Sequence, residues 1–143
     1  MINENKLLEI SNEMRTQDNR STRNVMFVVQ SNRFVPKPDG CGDITVYVDG
    51  DDIVTEEEKE KRIKDGDNVE DDFTKRSGSH EYVTEQDCGV FFTAKACREH
   101  IESNHHHYSE PRVYGIPSWR NPEMIAVQHY ILSLTGEIPE SYK

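Results

Sequence analysis

FFTAKACREHIESNHHHYSEPRVYGIPSWRNPEMIAVQHYILSL, residues Phe91 to Leu134, reads as strand, helix, strand, helix, and the fold is decided there. Gly89 to Phe92 is short and ends in two aromatics, which suits a strand, and Thr93 follows as an N-cap for a helix over 94–104. Arg112 to Ile116 is strand-like. Arg120-Asn121-Pro122-Glu123 is the strongest local signal in the chain. Asn is a preferred N-cap, Pro fits the first helical position without losing a hydrogen bond, and Glu favours the positive helix start. A helix is therefore expected from Pro122. Its Met124, Val127, Ile131 and Leu134, widened by Ile125, Tyr130 and Leu132, recur at three and four and should face a sheet, with Gly136 placed as its C-terminal cap.

Working back toward the N-terminus, Asn3 to Arg15 carries Leu7, Leu8, Ile10 and Met14 near helical spacing, and the polar run Thr16 to Asn24 reads as a linker. Val25 to Val29 is an apolar, β-branched run, extended by Phe34-Val35 before the turn signals Pro36, Pro38 and Asp39-Gly40. Ile44 to Val48 predicts a second strand closed by Asp49-Gly50, and these two strands are expected to pair as a hairpin. Residues 51–79 carry charge and few apolar anchors, so a helix over Glu56 to Lys64 would be solvated. Glu81 to Val83 supplies a further short strand. The expected fold is α+β: a small antiparallel sheet with two C-terminal helices packed on it and an acidic insertion, read as mobile, at about 49–79. Residues 1–24 form an N-terminal helix and linker, and 25–143 a single domain.

The 143 residues suit one domain, and with 34% hydrophobic and 31% charged residues the core formers must be concentrated in a few segments. The net charge of -10 opposes binding to long nucleic acids, which relies on Lys and Arg displacing counterions. That acidity is local. Asp49 to Asp72 holds twelve acidic residues against Lys59, Lys61, Arg62 and Lys64, whereas Ala94 to Arg120 is net +1, open to a small anion. Cys41, Cys88 and Cys97 are odd in number and irregularly spaced, with no signal-peptide pattern, which points to a reducing cytoplasm. No apolar run approaches the ~20 residues needed to span a bilayer.

Three groups of residues could carry chemistry. The helix starts at Thr93 and Asn121 offer backbone N–H groups to an anion, and Arg112 and Arg120 could add two planar forks; capping and surface pairing explain the same residues equally well. Phe91, Phe92, Tyr108, Tyr114 and Trp119 could stack a nucleobase or pack a core. Alternation would place Phe91 and Phe92 on opposite sheet faces. The run His105-His106-His107, beside Cys97 and His100, could supply zinc ligands, although three adjacent rings cannot all point at one metal; a polar helix end is the plainer reading. There is no nucleophile elbow, phosphate loop or calcium loop with correct spacing. No residue is assigned a catalytic role and no cofactor is implied.

The block VFFTAKACREHIESNHHHYSEPRVYGIPSWRNPEM, Val90 to Met124 and about a quarter of the chain, resembles small proteins encoded by phages and prophages. In size and layout the chain is similar to the first family of phage Thoeris anti-defence proteins, sponges for a cyclic ADP-ribose signal made by bacterial TIR enzymes. The resemblance implies a non-enzymatic protein in the cytoplasm of an infected bacterium. It would bind the cyclic nucleotide at a subunit interface as a homo-oligomer, release it unaltered, and in some members bind cyclic oligonucleotides as well. The family's pockets set an aromatic ring against adenine and use an asparagine and arginines; Phe91 or Phe92, Asn104, Arg112 and Arg120 are the matching types. With His107, Tyr108, Trp119 and Asn121 they form the candidate ligand-binding set. The acidic stretch departs from what a phosphate binder needs and must point away from such a pocket, or have another role such as keeping the assembly soluble. Two other classes stand beside this one: an acidic phage factor that inhibits a host protein, and a zinc-dependent nucleotide hydrolase using the histidine run.

Overall fold

In the computed structural model, which describes residues 3–38, 40–66 and 68–143, the elements run in the order α1 (Glu4–Thr16), β1 (Val25–Pro36), β2 (Ile44–Asp49), β3 (Asp52–Val54), α2 (Glu56–Lys64), β4 (Thr74–Thr84), α3 (Ala94–Asn104), β5 (Arg112–Pro117) and α4 (Pro122–Ser133). The fold is α+β, one antiparallel five-stranded sheet of order β3-β2-β4-β1-β5 with the two expected C-terminal helices. Two units divide the chain: residues up to Ser31 with Val83–Lys143, and Asn32–Tyr82. The boundary falls within β1 and β4. Among the described residues no helix is long and apolar enough to cross a membrane.

In the first unit, β1 opens with Val25 to Val29 buried at every position, as an apolar run without alternation requires. Val25, Phe27 and Val29 join Met14, Ala94, Cys97, Ile131, Leu132 and Tyr142 in one core. Strand β5 pairs antiparallel with β1, Val25 opposite Pro117 and Gln30 opposite Arg112. Helix α1 docks on α4 through polar contacts: Ser11 Oγ lies 2.6 Å from Thr135 Oγ1, and Arg15 donates to Thr135 Oγ1 at 2.6 Å and to the Leu132 carbonyl at 2.5 Å. The segment expected as a linker is an anchor instead. Gln17 donates to the Phe92 carbonyl and the Tyr142 hydroxyl, while Asn24 donates to the Tyr142 carbonyl at 2.7 Å and holds the C-terminal turn Glu140–Tyr142.

Helix α4 starts at Pro122 as expected, but a different face is buried. Gln128, Ile131 and Leu132 point inward, and Val127, Tyr130 and Leu134 are exposed. A polar residue decides the rotation: Gln128 Nε2 donates to the Val25 carbonyl at 3.1 Å and, alongside the Ser118 amide and hydroxyl, to the Asn24 carbonyl at 3.3 Å.

In the second unit the expected hairpin of the first two strands does not form. Strand β2 pairs with β3 and β4, and β4 lies between β2 and β1. The missing partner was hidden in polar sequence, since TKRSGSHEYVT buries only Gly78 fully. A Cβ on Gly78 would collide with the Phe34 ring and the Val35 carbonyl, and one on Gly42 would sit 2.6 Å from the Gly78 nitrogen, so close strand approach requires both glycines. Asp39 of the expected Asp39-Gly40 turn lies outside the described residues. The acidic segment is built into β3, α2 and β4. Thr55 caps α2, Glu56, Glu57 and Glu58 occupy its first turn and Lys61, Arg62 and Lys64 its last, the order that suits the helix dipole. Lys59 is buried, 4.1 Å from the Tyr47 ring centroid and 2.6 Å from Glu70, whose hydrogen bond raises its pKa.

Candidate functional site

Both helix starts bind their own caps. At α3, Thr93 Oγ1 accepts from the Ala96 amide at 3.1 Å, and Gln17 Oε1 accepts from the Ala94 amide at 2.9 Å. At α4, Asn121 Oδ1 accepts from the Met124 amide at 3.1 Å, and Pro122 has no N–H to offer. Capping thus takes several of the donors that an anion would need.

Phe91, Asn104 and Tyr108 come together around a residue outside the candidate set, His100. Its ring lies 5.4 Å from the Phe91 ring, its Nε2 is 2.8 Å from the Tyr108 hydroxyl, and its carbonyl accepts from Asn104 Nδ2 at 2.9 Å. Phe91 and Phe92 do not alternate across a sheet. Only Phe91 pairs, as an isolated bridge to Phe27, and both side chains pack against the core. Both also line a groove of ≈530 Å³ between α1 and α3, where Glu9, Glu13 and Glu99 outnumber Lys6 and Lys95. The Tyr108 hydroxyl is pushed up to about 12 by burial, then by a hydrogen bond with the Cys88 thiol and the negative charges of Cys88, Glu85 and Asp87. This end of the unit is therefore aromatic but electrostatically unwelcoming to phosphate.

Arg112 opens β5 and donates twice to Gln30 Oε1, at 3.0 and 2.8 Å, with its guanidinium 5.3 Å from the Tyr114 ring centroid. Arg120 lies beyond the opposite end of the strand. At ~3.3 Å per residue the five steps from Arg112 to Pro117 span roughly 16 Å, so the two arginines are set by opposite ends of β5 rather than side by side.

Trp119, Arg120 and Asn121 form a second group. The Arg120 guanidinium stacks 4.4 Å from the Trp119 ring centroid, and the indole is 50% exposed. Trp119 lines a hollow of ≈390 Å³ with Arg23, Asn24, Ile125 and Lys143. Arg23 donates to the Lys143 carbonyl at 2.9 Å, and Lys143 Nζ pairs with Glu140 at 3.4 Å. Arg120 has no carboxylate partner among the described residues. Two cations therefore join the group that spacing could not reveal: Arg23 lay in the segment read as a linker, and Lys143 arrives only through the docked C-terminal turn.

The histidine run closes α3 as a single turn, His105–His107, exposed at all three positions. His105 Nδ1 lies 3.3 Å from the Glu102 carbonyl, and the His106 and His107 rings are 4.0 Å apart. Cys97 is fully buried in the core, which pushes its thiol up to about 11. Among the described residues no three His, Cys, Asp or Glu side chains are grouped to hold a metal ion. No protein-family model matches the chain, and comparison with curated proteins and with solved structures found no match.

Proposed function

We propose that the chain is a non-catalytic phage protein that captures a cyclic ADP-ribose isomer in the cytoplasm of an infected bacterium, as an assembly of copies, and so blocks TIR-based antiviral defence. The observation that carries this reading is the Arg120 guanidinium stacked on an exposed Trp119 beside a hollow that Arg23 and Lys143 also line, in a chain of net charge -10. An adenine stacked on the indole contributes about 1–3 kcal/mol, and each guanidinium–phosphate hydrogen bond about 1.5–3. One stack and two such bonds reach roughly 4–9 kcal/mol, a Kd from about millimolar to just below micromolar before ordering costs. Capture tight enough to silence a signal therefore calls on Arg23 and Lys143 as well. Arg112, at the other end of β5, would join such a site from another copy. Calorimetry with cyclic ADP-ribose isomers tests the reading: stoichiometric binding, with unaltered ligand released on heating, is expected. No heat at micromolar protein, or a cleaved ligand, contradicts it.

One observation favours a second reading, an acidic surface that inhibits a basic host protein: Glu56, Glu57, Glu58 and Glu60 are all exposed on α2. Replacing these four by Gln separates the two. A nucleotide sponge keeps its ligand, whereas an acidic inhibitor loses its partner, most clearly at low salt.

A further inference from the structure

The groove between α1 and α3, ≈530 Å³ against ≈390 Å³ for the Trp119 hollow, shares no lining residue with it. Its floor is apolar: Ile10 of α1 and Phe91 and Phe92 before α3 are half-buried, and Val90 is 48% exposed. The floor is also fixed in place before any ligand arrives. Phe91 exchanges both backbone hydrogen bonds with Phe27, at 2.8 and 2.7 Å. Gln17, directly after α1, donates to the Phe92 carbonyl at 3.2 Å and accepts from the Ala94 amide at 2.9 Å, tying the two walls together at one end. A preformed apolar hollow of this volume falls in the range that takes a small organic molecule.

The walls select the charge of that molecule. Glu9 and Glu13 stand one turn apart on α1, and Glu99 lines the groove from α3. Lys6 pairs with Glu9 at 3.5 Å. The carboxylates of Glu13 and Glu99 have no ion pair or hydrogen bond among the described residues, and Lys95, one turn before Glu99, does not come within ion-pair distance of it. Carboxylates beside an apolar floor attract a cation more strongly than they would in open water, and aromatic faces such as those of Phe91 and Phe92 favour an ammonium as well. We propose that this groove binds a small organic cation, an aryl or alkyl amine whose apolar body lies on Val90, Phe91 and Phe92 while its ammonium meets Glu13 and Glu99. The site holds or fails independently of nucleotide capture at Trp119.

Fluorescence titration of the full chain tests it with two probes of similar shape and opposite charge. Dansylcadaverine carries an aromatic ring on a chain ending in ammonium, and dansyl-aminocaproate ends in a carboxylate. Dansylcadaverine should brighten to saturation, bind at least about tenfold tighter than the anionic probe, the worth of one charge-assisted contact, and be displaced by phenethylamine. Glu13→Gln and Glu99→Gln, which keep the side-chain shape, should each weaken it roughly threefold to tenfold. The double variant should lose the preference for the cation with circular dichroism unchanged. Glu123→Gln, exposed at the start of α4, should bind as the wild type does. The inference is overturned by no brightening with dansylcadaverine, by equal binding of both probes to the wild type, or by an unchanged preference in the double variant. Displacement by a leucine- and lysine-containing peptide but not by phenethylamine also overturns it, since the occupant is then a polypeptide.

Discussion

Gln17 makes three hydrogen bonds that join α1 to the start of α3 and to the C-terminal turn, through the Ala94 amide, the Phe92 carbonyl and the Tyr142 hydroxyl. Gln17→Ala leaves these groups without their partner and should cost about 1–3 kcal/mol, read as a lower urea midpoint at unchanged slope. An unaltered midpoint would show that the segment is not an anchor. Gln17 and Arg23 were illegible in the sequence because their roles depend on partners more than seventy residues away, whereas Thr93, Asn121 and Pro122 act within one turn and could be read directly. The same contrast governs the site. Arg120→Ala should weaken ligand capture at least about tenfold, the loss of one charge-assisted contact. Arg23→Gln should do the same with dichroism unchanged, and wild-type affinity in both variants would place the ligand elsewhere.

At the scale of elements, α3, α4 and β5 were legible to within a residue or two because caps, proline and periodicity agree there. Of strand β4 only the end, Glu81 to Val83, was legible, because a strand of Lys, Arg, Ser, His and Glu with a central glycine has the composition of a solvated loop and owes its place to pairing on both sides. Gly78 is where that pairing is tightest. Gly78→Val should unfold the second unit or lower the melting temperature by several degrees, about 2–8 °C per kcal/mol lost; a variant as stable as wild type would contradict the packing of β2, β4 and β1. The buried face of α4 was misread for a related reason. Apolar residues surround the helix, so hydrophobic spacing could not choose a side, and the choice fell to the amide of Gln128.

At the scale of the whole molecule, acidic charge concentrates in the second unit and the Trp119 hollow lies in the first. Stability should depend on alkaline pH. Burial raises Tyr142, and raises Cys97 from 9.0 to about 11 and Tyr108 from 10.0 to about 12, so the folded chain keeps protons that the unfolded chain releases. That contribution is complete below about pH 9 and is lost as the pH climbs from there toward 12. Urea midpoints at pH 8 and pH 10.5 should therefore fall, and a flat profile would contradict the burial of these groups. The central claim is that a cyclic nucleotide rests on Trp119, the one tryptophan in the chain, so its fluorescence reports on the site alone. Titration with a cyclic ADP-ribose isomer should change the emission to a sharp stoichiometric end point in the wild type and far more weakly in Arg120→Ala. Emission that never changes, or changes equally in both, would contradict the account.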